Sequence, residues 1–201
     1  IVTCVIKFNL IYLNNSIDLM MKESKKNTPH SKRIIEIGSK IPTNIFKVLS
    51  DSGEMQESIL SDDIFKDKKI VLFSVPGAFT PKSTNVQIPG YLNLAEKIFE
   101  QGIDEIICVS VNDAFVMDAW AEHCKAKGKI TMLADAHCHF FNSVGLEMDC
   151  TRFNLGFRCE RFSMIIFDGI LKDLNIEISG GPVDASSANQ ILKNLTENTY
   201  D

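Results

Sequence analysis

A chain of 201 residues fits one domain with a tail and is long enough to bury a sizeable core. Its 45% hydrophobic and 23% charged content is ordinary for a soluble globular protein. Against 21 basic residues stand 26 acidic ones, and the net charge of −5 argues against a general nucleic-acid binder, which needs a basic footprint.

Residues 1–13 (IVTCVIKFNLIYL) are mostly apolar but fall short of the about 20 residues a membrane-spanning helix needs, so no membrane association is expected. They suit the apolar part of a targeting segment, although no charged start precedes them and no small-residue cleavage site follows. Met20-Met21 offers an internal start, and residues 22–32, rich in Lys, Ser and Asn, read as a flexible tail. The expected division is a flexible or targeting segment over 1–33 and a folded domain over 34–201.

Short strands are expected at 34–37 and 45–49 around a Gly38–Pro42 turn, then a turn at 51–55 and a short polar helix or loop over 58–66. Residues 71–91, VLFSVPGAFTPKSTNVQIPGY, organise the rest. Val71, Leu72, Phe73 and Val75 form an apolar run suited to a central parallel strand, and Pro76-Gly77 breaks it. Thr80 and Pro81 read as a helix start, with a capping hydroxyl and a proline in the first turn. Strand, turn and helix in that order aim backbone N–H groups and a positive helix end at one point, which favours negative charge there.

A helix over 84–101 follows, then a buried strand over 105–111. Asn112-Asp113 caps the next helix, which Gly128 ends. A strand at 129–134, a short helix within 138–146, strands at 161–167 and 170–176 around Asp168-Gly169, and a helix over 184–194 complete the chain. Alternating strands and helices predict an α/β, thioredoxin-like fold: a central, mainly parallel sheet, a closing antiparallel hairpin, and helices on both faces.

The cysteines, at 4, 108, 124, 138, 150 and 159, form no CxxC pair and read as reduced thiols of a cytoplasmic-type compartment, with mitochondrial or other organellar targeting left open. His137-Cys138-His139 lacks a second ligand cluster, so no metal site is expected. Gly180-Gly181-Pro182 is a turn and not a phosphate loop. Arg158 reads as a surface or interface arginine.

The run Pro76-Gly77-Ala78-Phe79-Thr80-Pro81, followed by Ile88-Pro89-Gly90-Tyr91, resembles the active-site segment of the peroxiredoxins, type-five branch. Residues 110–115 and Arg161-Phe162-Ser163-Met164 extend the likeness over about 34–195. The family pattern is Pro-x-x-x-Thr-x-x-Cys. Its Pro and Thr match Pro76 and Thr80, while its peroxide-attacking cysteine falls on Ser83.

The resemblance implies a thiol-dependent peroxidase acting on hydrogen peroxide and alkyl hydroperoxides, impaired here because serine stays protonated and forms no sulfenic acid. It implies that Thr80 bonds the peroxide or the sulfur, Pro76 shields the site, and Arg161 stabilises the thiolate and the developing charge. It further implies an external thiol reductant (glutathione with glutaredoxin, or thioredoxin), a homodimer, and no cofactor. No resolving cysteine is evident. Gln87 stands where the family commonly has His, and Lys82 where it has a small or polar residue. These departures favour natural divergence over an introduced Cys-to-Ser replacement. The alternative is a non-catalytic, peroxiredoxin-like binding or regulatory homologue. A strand over 158–166 would place Cys159 on the face of Arg161, as a substitute nucleophile or, more simply, as a buried filler.

Overall fold

The computed structural model describes residues 33–200, apart from 51, 55, 179 and 180. Of the expected N-terminal segment over 1–33, all but Arg33 lies outside the described residues.

Seven strands form the main sheet in the order β2-β1-β5-β4-β3-β8-β9. These are β1 (Ile45–Leu49), β2 (Gln56–Leu60), β3 (Lys69–Ser74), β4 (Glu105–Ser110), β5 (Thr131–Ala134), β8 (Phe162–Phe167) and β9 (Ile170–Ile176). A separate two-stranded ladder joins β6 (Glu147–Asp149) to β7 (Phe157–Cys159). β3, β4 and β5 run parallel at the centre. The β8–β9 hairpin adds antiparallel to β3, turning at Asp168-Gly169 as expected. The helices are α1 (Ser61–Phe65), α2 (Ile88–Phe99), α3 (Ala114–His123), α4 (His139–Ser143) and α5 (Ala188–Glu197). The architecture is the α/β, thioredoxin-like one.

Alternation along the central strands builds a core on each face of the sheet. Val71, Phe73, Ile106 and Cys108 meet α2, α3 and α5 through Tyr91, Ile98, Trp120 and Ile191. Ile70, Leu72, Ile107 and Val109 meet α1 and α4 through Ile64, Phe65, Phe140 and Phe141. Strands apolar on both sides need this double cover, which is why EIICVSV reads as an unbroken apolar run.

Several expectations are corrected. Residues 34–37 form no strand: Ile35 donates to the Val144 carbonyl, and Lys40 makes an isolated bridge to Ile170. Residues 56–60, of which 58–60 were expected as part of a polar helix or loop, are a strand paired along its whole length to β1. Its side chains are mostly exposed, so it lacks the alternating apolar signal of a half-buried strand. The last helix begins at Ala188, where the Ser187 hydroxyl accepts from the Gln190 N–H. Gly145 stops α4: φ is +76°, and a Cβ would meet the Arg33 carbonyl oxygen at 2.5 Å.

Candidate active site

β3 ends at Ser74, and Val75 still bonds to Val109 before Pro76-Gly77 turns the chain out of the sheet. Phe79 takes a left-handed conformation, φ 60°, to complete the turn. The helix then starts with Thr84 N–H donating to the Thr80 carbonyl, 2.9 Å. Its next turn, Ser83–Gln87, is widened to π geometry, with the Ile88 N–H reaching the Ser83 carbonyl. Such turns often mark functional sites. Here Ser83 and Gln87 are buried while Val86 faces solvent. The fully buried Trp120 fixes this turn by donating its indole N–H to Thr84 Oγ1, 3.1 Å.

Thr80 does not cap the helix. Its hydroxyl lies within donating distance of the Gly77 carbonyl oxygen, 2.9 Å, and of Ser83 Oγ, 2.7 Å. One proton serves only one of these acceptors at a time. Arg161, on the link between β7 and β8, donates from Nη1 to Ser83 Oγ at 3.3 Å and, more closely, to Gln87 Oε1. Burial pushes the Arg161 pKa down from its ordinary value, but a guanidinium keeps its charge throughout. Thr80, Ser83 and Arg161 therefore meet at one point, with Pro76 on the wall of an adjoining cavity of about 150 Å³. Lys82, Glu160, Arg161 and Glu177 also line it. A larger recess of about 520 Å³, bordered by Asp104, Asp118, Lys127 and Thr131, lies at the opposite ends of β4 and β5, away from this cluster.

The sequence pattern of the redoxin family matches residues 36–192. The chain belongs to the redoxin family. It is 36% identical over 161 residues to peroxiredoxin-2B of Arabidopsis thaliana, covering 80% of this chain and 98% of that protein. Among solved structures, reduced Prx3 from Vibrio vulnificus in complex with hydrogen peroxide is 41% identical with a TM-score of 0.76, over 81% of this chain and 99% of that one. Peroxiredoxin 5 from Alvinella pompejana is 33% identical with a TM-score of 0.70, over 82% and 99% of the respective chains. Its relatives also include a chloroplastic peroxiredoxin-2E of Arabidopsis thaliana and a mitochondrial peroxiredoxin-2F of Oryza sativa.

In this redoxin chain Cys159 follows the simpler of its two readings, a buried filler, and not that of a substitute nucleophile beside Arg161. The strand proposed over 158–166 is broken: β7 pairs with β6, and β8 joins the main sheet. Cys159 points into the core, fully buried, and its thiol donates to the Val75 carbonyl at 3.1 Å. Burial pushes its pKa up, which disfavours the thiolate that a nucleophile needs. Cys108 is equally buried, and burial pushes it up as well. His137 and His139 are exposed on either side of buried Cys138. Among the described residues no group of His, Cys, Asp and Glu is arranged to hold an ion.

Two supports of the redoxin site differ from the expectations set by the sequence. Asn112 does not cap α3, since Asp113 does so through Val116. Instead Asn112 Oδ1 accepts from the Ala78 N–H, 2.8 Å, and from Ser110 Oγ, 2.9 Å, which pins the turn. Arg158 is no plain surface residue: it donates to the carbonyls of Leu155, 2.8 Å, and Pro76, 3.0 Å. Gly77 permits that approach, for a Cβ there would meet Arg158 Nη1 at 2.8 Å. No short sequence pattern carries either contact, because Arg158 and Pro76 are 82 positions apart.

Proposed function

We propose that this chain carries the hydroperoxide site of a thiol peroxidase of the type-five peroxiredoxin branch, with Ser83 where the attacking cysteine stands in that branch. The observation that carries this reading is the convergence of Thr80 Oγ1 and Arg161 Nη1 on one buried side chain at a helix start. Three such donors and dipoles suit a reaction in which negative charge passes from a nucleophile to a leaving oxygen.

With cysteine at position 83 the chemistry balances simply. The thiolate attacks one peroxide oxygen, the O–O bond breaks, and the other oxygen leaves with a proton as water or alcohol. The cysteine becomes a sulfenic acid, and two external thiols return it to the thiol with release of water and a disulfide. Arg161 holds the thiolate and the developing charge, and the Thr80 hydroxyl turns from the Gly77 carbonyl to donate into the site. Pro76 limits water at the mouth.

Ser83 keeps its proton at neutral pH and has no counterpart of the sulfenic acid. The native chain accordingly binds hydroperoxide and reduces it very slowly or not at all. A non-catalytic binding or regulatory role is the second reading. It is favoured by the Gln87 amide oxygen, which supplies Arg161 with an acceptor in a site that has no thiolate. A homodimer, an external thiol reductant, and residues 1–33 acting as a targeting segment belong to the same proposal. The proposed compartment is cytoplasmic or organellar, and the chloroplastic and mitochondrial relatives support the organellar address.

The test is hydrogen peroxide consumption by the native chain and by Ser83→Cys, with glutathione and glutaredoxin or with thioredoxin as reductant. Turnover confined to the variant supports the reading. Equal turnover in both chains defeats the claim that Ser83 disables the site.

A further inference from the structure

We infer that Gln87 is a positioning residue that aims the Arg161 guanidinium at residue 83 while leaving its charge unneutralised. The inference rests on the reading of residue 83 as the reacting position. Arg161 Nη1 donates to both Ser83 Oγ and Gln87 Oε1. Gln87 is 2% exposed, so its amide has no recourse to bulk water and must be satisfied locally. Its Nε2 lies 3.4 Å from the Ser74 carbonyl oxygen and 3.4 Å from Ser186 Oγ. Only one amide orientation works: flipped, its NH2 would face a guanidinium and its oxygen would face a carbonyl.

Beyond Gln87 the bonds keep one direction. Gln87 Nε2 donates to Ser186 Oγ, and Ser186 Oγ donates to Glu177 Oε1 at 2.9 Å. The same carboxylate oxygen accepts the N–H groups of Asp184 and Ser186, both at 2.7 Å. A cation and a carboxylate are thus joined through two neutral groups and not by direct contact. The Arg161–Gln87–Ser186–Glu177 relay holds the guanidinium in place, and Glu177 acts on it only through space. A direct ion pair would spend the field of Arg161 on its partner. A neutral acceptor leaves that field for whatever stands at position 83. Ser186 lies just ahead of α5, and Tyr91 of α2 donates to its carbonyl at 2.9 Å, so the C-terminal helix lead-in is part of the support.

Lys82 and Glu160 share the adjoining cavity with Arg161 and Glu177, and these four are its charged groups. The thiols of Cys108 and Cys159 and the Tyr91 phenol are held neutral by burial. The experiment is the pH profile of alkylation of the thiol introduced at position 83, read by peptide mass spectrometry, in Ser83→Cys alone and combined with Gln87→Glu or Gln87→Met. Gln87→Glu keeps the shape and adds a carboxylate against Arg161. It is expected to raise the pKa of the introduced thiol by about one pH unit or more. Gln87→Met removes the acceptor without adding charge and is expected to raise it by less. An unchanged profile in Gln87→Glu would overturn the inference. Nitrogen NMR of the native chain needs no variant: separate, slowly exchanging Arg161 Nη signals are expected, and a freely rotating average would contradict it. If Ser83→Cys fails to reduce peroxide while its profile still moves with residue 87, the peroxidase reading falls and the positioning role stands. If Ser83→Cys reduces peroxide with a profile indifferent to residue 87, the positioning role falls and the peroxidase reading stands.

Discussion

Arg161 Nη1 stands 3.3 Å from Ser83 Oγ, although 78 positions separate them in the chain. Antiparallel pairing of β8 with β3, in which Phe73 faces Ser163, produces the meeting. It brings the residue that enters β8 to the edge where β3 hands over to the Pro76 turn. If the guanidinium is there to favour a negative residue 83, Arg161→Met in the Ser83→Cys background raises the thiol pKa by about one unit or more. Alkylation rate against pH measures it, and an unmoved midpoint removes Arg161 from that role.

Thr80 has one proton and two acceptors within reach. Replacing it by Val keeps the shape and deletes the donor. In Ser83→Cys, Thr80→Val is expected to slow peroxide reduction about 100-fold, the usual cost of one oxyanion-type donor. Stopped-flow peroxide consumption checks this, and a loss of less than a few-fold would place the hydroxyl outside the chemistry.

The sheet and its helices were legible because burial leaves a periodic mark. β3, β4 and β8 are apolar runs bounded by turns, and Asp168-Gly169 announces the turn into β9. β2 was misread because QESIL is polar on an exposed edge, where backbone pairing and not side-chain burial makes the strand. β6 and β7 are too short to show a period. Pro76, Thr80 and Ser83 were readable as a local pattern. The bracing by Asn112, Arg158 and Gln87 was not, since those contacts are set by tertiary pairing between distant segments. Of the two readings of Cys159 the buried filler holds and the substitute nucleophile does not: one break between β7 and β8 turns its thiol into the core while Arg161 turns to the site.

Burial ranks the thiols. Cys108, Cys138, Cys150 and Cys159 are buried, and Cys124 is the one partly exposed among the described cysteines. Burial pushes Cys124 up as well, though it is far less enclosed. Iodoacetamide applied to the native folded chain at mildly alkaline pH is therefore expected to label Cys124 ahead of the others described. Early labelling of Cys159 would show that its core position is open.

Asp135 links α4 to the sheet by accepting the Phe141 N–H at 3.2 Å. Burial pushes its carboxyl above the ordinary 3.8, against the opposing pull of the N–H groups of Phe141, Phe140 and His139. The folded chain then holds a proton that the unfolded chain has already released, so stability falls as pH rises from the unfolded value through the folded one. Asp135→Asn cannot ionise. The stability difference between native chain and variant should therefore change in the variant's favour as pH rises above the ordinary aspartate value. Urea titrations across that range measure it, and a difference independent of pH would refute the assignment.

The most direct measurement is steady-state hydrogen peroxide reduction by Ser83→Cys beside the native chain, under one reductant system. A site that is complete except for its nucleophile predicts a gain of at least about 10³-fold in the variant, given what loss of a nucleophile costs elsewhere. Comparable rates in the two chains, or no activity in either with the fold intact, would contradict it.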